Sequence, residues 1–187
     1  MTSVAGVVLA AGAGARMGGP KAEIEIDGDR LLDHCVQVLR AAGCLPVYAV
    51  VRGATLVRQA EAVVNDAPDR GLLSSLRLGV AAAGHADAIA VVLVDMPGIT
   101  AAGTRAVVQA WRPGRIAVAR YADRAGHPIV MARDMWGSAL AMAGPDDGAR
   151  AYLGAHPDLI DEIGVGGSGA DLDTPEELET WRRQRGR

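Results

Sequence analysis

Apolar residues in this chain fall into two alternating kinds of run, divided by polar and glycine-rich breaks. The first kind is a continuous block of six or seven residues: Val4 to Leu9, Pro46 to Val51 and Ala88 to Val94. Such blocks predict strands covered on both faces, as in parallel sheets. The second kind recurs at helical spacing. Leu31, Leu32, Cys35, Val38, Leu39 and Ala42 predict a helix over 31–42 that stops at Gly43. Helices are likewise expected from Gly71 to Ala83 and from Ala101 to Trp111, the latter capped by Thr100. Ala54 to Ala62 carries a helical pattern too, with Leu56, Val57 and Ala60 on one side; Val63-Val64 either extends that face or forms a short strand. Asn65 to Gly71 reads as loop.

Between the first strand and the first helix, Ala22, Ile24 and Ile26 alternate with acidic residues, which predicts a short half-exposed extended piece ending at the Asp27-Gly28 turn. After Trp111 the regular alternation breaks. Arg115 to Arg120 reads as a strand, Tyr121 to Gly126 as a polar turn, and Ile129 to Met131 as a hairpin-like return. Helical segments at Asp134 to Met142 and Asp147 to Leu153 flank a Gly144-Pro145-Asp146 break; Asp158 to Gly164 is extended, and Gly164 to Gly169 is flexible. The last helix starts at Thr174, where Thr-Pro-Glu-Glu has the form of a capping box. The whole pattern predicts a three-layer α/β/α protein with a mostly parallel sheet. No repeat, low-complexity block or long linker divides it, so residues 1–187 are expected to form one domain, with about 115–164 on the substrate side.

Composition removes several function classes. The chain has no Phe and only three Trp and three Tyr, which argues against an aromatic platform for stacked nucleobases. A net charge of −3 gives no global attraction for nucleic acid or anionic membranes. The terminal Arg182, Arg183, Arg185 and Arg187 close an acidic-to-basic helix and complement its dipole. No apolar run reaches the roughly 18 residues of a membrane span, and the N-terminus has no signal-like pattern, so a cytoplasmic protein is expected. Cys35 and Cys44 form no CxxC pair, and the four histidines are scattered; spacing alone builds neither a zinc cage nor a nucleophilic triad.

Candidate chemistry gathers at the strand ends. Leu9 to Lys21 packs Gly12, Gly14, Gly18 and Gly19 together with two cations, Arg16 and Lys21, directly after the first strand. Glycine-rich backbone can turn N–H groups onto an anion, and the cations can neutralise it. The P-loop pattern fails here, because Pro20 precedes Lys21 and Ala22 stands where a hydroxyl is needed. The dinucleotide fingerprint matches weakly, since Gly18 comes one residue late. A ligand-free glycine turn is the remaining alternative, although a plain turn has no use for two cations.

Three further features would meet this loop on the same rim of a parallel sheet. The helix start at Gly71, Ser74 and Ser75 would present free N–H groups. Asp95 ends the most apolar strand and is followed by Pro97. It is expected to serve a ligand rather than cap the next helix, a role Thr100 fills better. Asp173, just before the last helix, is a candidate second acid. Two separated carboxylates beside a cationic glycine loop suit Mg²⁺ on a nucleoside triphosphate, because such Mg²⁺ takes one or two protein carboxylates and completes its shell with water and phosphate. Arg52, at the end of the second strand, leaves an NADP-type contact open.

LAAGAGARMGGPK from Leu9, VDMPG from Val94, GHP from Gly126 and DLDTPEEL from Asp171 together resemble the MobA-like nucleotidyltransferase family, most closely its molybdenum cofactor cytidylyltransferase branch. The resemblance spans nearly the whole chain. It implies a Rossmann-like nucleotidyltransferase fold and Mg²⁺-dependent transfer of a nucleoside monophosphate, CMP from CTP, onto a phosphorylated acceptor such as molybdopterin, with release of pyrophosphate. Carried over by motif, Leu9, Ala10, Ala11, Gly12 and Gly14 would hold the nucleotide with Gly71, and Arg16 and Lys21 would stabilise the triphosphate. Ser75 matches a nucleotide-contacting serine, with Ser74 beside it as the alternative. Asp95 and Asp173 would be the metal ligands, Asp171 being the alternative to the second. His127 and Pro128 would lie near the acceptor. Guanylyl-transferring relatives read LAGG where this chain has Ala11, which points to CTP. Some relatives are reductases of the nicotine blue oxidoreductase type, so an NAD(P)H-dependent activity on the same fold is the alternative reading.

Overall fold

The computed structural model describes residues 2–185. Seven strands form one sheet: β1 (Val4–Leu9), β4 (Val47–Val51), β5 (Glu61–Val64), β6 (Ala88–Leu93), β7 (Ile116–Arg120), β8 (Ala125–Ala132) and β9 (Ile160–Gly164), in the order β5-β4-β1-β6-β8-β7-β9. A two-residue ribbon, β2 (Glu25–Ile26) and β3 (Asp29–Arg30), turns at Asp27-Gly28 as the sequence predicts. In the sheet only β8 runs against its partners. It folds back from β7 and inserts between β6 and β7, the hairpin return expected at Ile129 to Met131. The sheet is therefore mostly parallel, and the parallel strands end on one rim.

Every β1 residue is buried, which is what an unbroken apolar run requires. Alternate residues face opposite layers. Val4 and Val8 pack with α1 (Leu31–Ala41), α3 (Ala101–Ala110) and α6 (Pro175–Arg185). Val7 and Leu9 pack with α2 (Leu72–Ala82), α4 (Arg133–Met142) and α5 (Arg150–Ala155). This is the expected α/β/α sandwich. On the second layer Trp136 is fully buried and donates its indole N–H to the Ile89 carbonyl at 3.0 Å. Cys35 and Cys44 are buried free thiols, and burial pushes Cys44 up to about 12. Arg187 of the terminal basic cluster lies outside the described residues; Arg182 pairs with Glu179 and donates to the Glu25 carbonyl.

One expected element is absent. Residues 54–60 are not helical, and Glu61–Val64 pairs with β4 as an edge strand. The cause lies outside the segment: Arg30 and Arg40, flanking and ending α1, donate to the carbonyls of Leu56 and Gln59, and Gln59 adopts a left-handed conformation. Those carbonyls are thus removed from any helical ladder, and β-branched Val63-Val64 completes a strand. The helix expected from Asp147 also begins later, at Arg150, because Asp147 instead accepts the Gly144 N–H.

At the other edge, Asp161 on β9 is clasped by Arg115 at 2.6 Å and Arg112 at 3.2 Å. Those hydrogen bonds hold its carboxyl down at about 2, from an ordinary 3.8. A carboxyl depressed in the folded state contributes stability that is complete above the unfolded value and lost as pH falls through the folded one. Between pH 4 and pH 2 the melting temperature should therefore fall more steeply in the wild type than in Asp161→Asn, as scanning calorimetry would measure. Equal slopes would show that the clasp adds nothing.

Candidate functional site

The glycine loop leaves β1 at the parallel rim and curls through a single 3-10 turn, Ala15–Met17. Gly14 sits at φ +60°, and a side chain there would collide with the Gly19 carbonyl, so the curl requires glycine. The Gly14 carbonyl accepts from Met17 and Gly19. Among the described residues, the backbone N–H groups from Gly12 to Arg16 donate to no acceptor in the chain. A row of free donors is what an anion-binding loop needs.

Asp95 and Asp173 reach the same point from distant parts of the chain. Asp95 follows β6, half-buried. The stretch before α6 is laced onto the end of that strand by two backbone bonds, Leu172 N–H to the Asp95 carbonyl at 2.8 Å and Ser168 N–H to the Gly98 carbonyl at 3.1 Å. Gly98 must lack a side chain, since a Cβ would stand 2.5 Å from the Ser168 carbonyl oxygen. The α6 cap then fixes Asp173: Glu177 accepts the N–H groups of Asp173 and Thr174, and Thr174 Oγ1 accepts the Glu177 N–H. Thr100 caps α3 through the Gly103 N–H as the sequence predicts, so Asp95 is not the cap of that helix.

Lys21 joins the two acids. Its Nζ lies 2.8 Å from Asp95 Oδ2 and 2.5 Å from Asp173 Oδ1, and Arg16 reaches Asp173 Oδ2 at 3.3 Å. Burial pulls the Lys21 ammonium down, but the hydrogen bonds and charges of Asp173 and Asp95 outweigh it, and the net shift is upward from 10.5. The same Lys21 hydrogen bond holds Asp173 below 3.8. Among the described residues, Asp95 Oδ1 is buried and accepts no hydrogen bond. An orphaned carboxylate oxygen beside a second carboxylate fits a divalent cation. No cluster of three or more ligating side chains exists among the described residues, so such an ion would take most of its shell from water and phosphate.

These groups line a cleft of about 680 Å³. Of the residues the sequence singled out, Leu9, Ala11, Gly12, Gly14, Arg16, Lys21, Gly71, Ser75, Asp95 and Asp173 all face it. Ala10 is buried behind the loop, its N–H donating to the Val50 carbonyl. Ser74 and Ser75 separate cleanly. Ser75 lines the cleft, while Ser74 lines a different hollow and returns its hydroxyl to the Gly71 carbonyl at 2.9 Å. Asn65 donates to both hydroxyls and so fixes the helix start.

A second cleft of about 550 Å³ adjoins the first, and Leu72, Leu93, Asp146 and Arg150 border both. Its lining includes His127 and Asp171 but not Pro128. Burial pushes the His127 imidazole down to about 4 against the upward pull of Asp171, so the ring is neutral at pH 7. The His127 carbonyl accepts the Tyr121 hydroxyl at 2.7 Å. Asp171 therefore faces the second cleft with Arg124, and Asp173 the first. Arg52 borders neither cleft and lies 3.6 Å from Asp69. Of the charged residues that reading the sequence missed, Asp146 and Arg150 border both clefts, and Asp147 and Glu162 the second alone. The only signal for the first two was a Gly-Pro-Asp break shortly before a helix carrying an arginine.

The sequence pattern described as the MobA-like NTP transferase domain matches residues 6–159. The chain belongs to this family. A nicotine blue oxidoreductase of Paenarthrobacter nicotinovorans is 34% identical over 94% of this chain and 94% of its own length. A probable molybdenum cofactor guanylyltransferase of Opitutus terrae is 40% identical over 65% of this chain and 62% of its own. Among solved structures, Rv0371c of Mycobacterium tuberculosis H37Rv superposes with a TM-score of 0.84 at 27% identity, covering 97% of this chain and 98% of that one; it has also been solved in complex with manganese. Among the described residues of the present MobA-like chain, no helix is long and apolar enough to cross a membrane.

Proposed function

We propose that this MobA-like protein is an Mg²⁺-dependent nucleotidyltransferase that moves CMP from CTP onto a phosphorylated acceptor of the molybdopterin kind and releases pyrophosphate. The observation that carries the proposal is the convergence of Asp95 and Asp173 at the mouth of the glycine loop, with Asp95 Oδ1 lacking any partner. The loop N–H groups, Gly71 and Ser75 hold the nucleotide, and residues 115–164 supply the acceptor side of a single domain.

In the reaction, an oxygen of the acceptor phosphate attacks the α-phosphorus, the α–β P–O bond breaks, and pyrophosphate leaves with the electron pair. A phosphate monoester with a second pKa near 6 is already largely ionised at pH 7, so no proton has to be removed from the attacking oxygen. Neutral His127 is thus not required as a base. Arg16 and Lys21 neutralise the charge that accumulates on the leaving group. Asp95 and Asp173 would hold Mg²⁺, which when bound supplies further charge neutralisation at the phosphate oxygens. The CTP preference rests on Ala11, which borders the cleft at the position where guanylyl-transferring relatives carry glycine.

A second reading, hydride transfer from NAD(P)H, is favoured by the 34% identity with nicotine blue oxidoreductase. Arg52, the residue that would meet a 2′-phosphate, speaks against it by lying outside both clefts.

Thermal shift separates the readings. A ligand present at a hundred times its Kd stabilises by about 2.7 kcal/mol, which is several degrees for a domain of this size. CTP with Mg²⁺ should give such a shift, larger than that of GTP or NADPH, and chelation should reduce it. A shift with NADPH alone, indifferent to metal, would favour the reductase; no shift with any nucleoside triphosphate would remove the transferase.

A further inference from the structure

We infer that Arg150 is the seat for the acceptor's phosphate monoester, a specificity-determining cation at the junction of the two clefts. The inference rests on the transferase reading and extends it to the chemistry of the second substrate.

The argument is one of charge accounting. Around the second cleft nearly every charged side chain is already engaged. Arg124 faces Asp123 and Asp171, each at 3.4 Å, and Glu162 faces Arg120 at 3.6 Å. Asp146 accepts the Leu72 N–H, and Asp147 the Gly144 N–H. Among the described residues Arg150 alone of the charged side chains around that cleft makes neither an ion pair nor a hydrogen bond with its side chain, although it is exposed and borders both spaces. A guanidinium left unpaired among engaged carboxylates is suited to an anion from outside the chain, and its planar fork matches phosphate.

Position selects which anion. The glycine-loop cations, Arg16 and Lys21, border only the nucleotide cleft, together with Asp95 and Asp173. In-line displacement places the attacking oxygen opposite the leaving pyrophosphate, so the acceptor phosphate must enter from the side away from those cations. Arg150 stands on the wall common to both clefts, where an acceptor lying in the second one can extend its phosphate toward the α-phosphorus. The second cleft is bordered by Met96, Val118, Ile129 and Ile160 as well, so the body of the acceptor meets a largely apolar surface behind its phosphate.

The test uses phenyl phosphate, a small monoester with an apolar body, on full-length protein already saturated with Mg²⁺ and a non-hydrolysable CTP analogue, so that the triphosphate site is closed. The wild type should show a nucleotide shift and then a further shift with phenyl phosphate. Arg150→Gln should keep the first and bind phenyl phosphate about ten- to a hundredfold more weakly, with Arg150→Lys in between, as expected for loss of a charge-assisted contact. Because Arg150 is exposed, the variant should fold; its unchanged nucleotide shift serves as the check. Phenyl phosphate bound equally by wild type and Arg150→Gln, or bound by neither, overturns the inference alone. Loss of the nucleotide shift in Arg150→Gln would place the arginine on the triphosphate and also overturn it. Absence of a nucleotide shift in the wild type removes the transferase reading, and the inference with it.

Discussion

Asp95→Asn is expected to slow pyrophosphate release from CTP, with molybdopterin as acceptor, by about a hundred- to thousandfold, the range seen when a preorganised electrostatic contact is lost from a reacting centre. The substitution keeps the shape and removes the charge. The orphaned Oδ1, already without a hydrogen-bond partner, becomes one end of a neutral amide, a poor ligand for Mg²⁺. The metal-dependent part of the CTP shift should vanish while the part due to the loop persists. A variant with wild-type turnover would show that Asp95 is no ligand, and the mechanism would have to be rebuilt on Asp173 alone.

Lys21→Met has the second large effect, and it acts in two directions. The ammonium occupies the position between the two carboxylates that a divalent cation would share. Without it Asp95 loses its ion pair and Asp173 keeps only the exposed Arg16, so Mn²⁺, titrated with electron paramagnetic resonance as the readout, should bind the variant at least tenfold more tightly than it binds the wild type. Transfer should nonetheless fall by about a hundredfold, because the leaving pyrophosphate loses a cation. Stability should fall by about 1–3 kcal/mol, as for loss of charge-assisted hydrogen bonds. With Lys21 held above 10.5 and Asp173 below 3.8, this contribution is complete across the neutral range and is lost only toward either extreme. Equal Mn²⁺ affinity in both proteins would show that lysine and metal do not compete.

How far the sequence could be read depended on whether local or distant groups set each element. The central parallel strands β1, β4 and β6 were legible because both faces of each are largely buried, which leaves an unbroken apolar run. The position of Asp95 at the cleft was legible because its strand ends in Pro97 and Thr100 is the better helix cap. The 54–60 segment was misread because arginines flanking and ending another helix take its carbonyls, an interaction that no local periodicity records. Ser74 and Ser75 separate only in the tertiary structure, where Ser75 lines the cleft beside the glycine loop and Ser74 a different hollow. Arg150 carried no motif at all. Its position follows from where α5 begins and from the hairpin that brings β8 between β6 and β7, both of which belong to the tertiary structure.

The stitching of residues 168–172 onto the end of β6 uses peptide groups only. Leu172 adds a buried core contact and the Ser168 hydroxyl accepts the Ala170 N–H, so the placing of Asp173 falls on the backbone and on those two side chains. A designer altering the acceptor side can rewrite Asp171, which faces the second cleft, while the carboxylate of Asp173 keeps its address, provided that Gly98 opposite stays bare. The lining of the second cleft and the placement of Asp173 are in this way decoupled, and one MobA-like scaffold can vary the first without moving the acid at the other cleft.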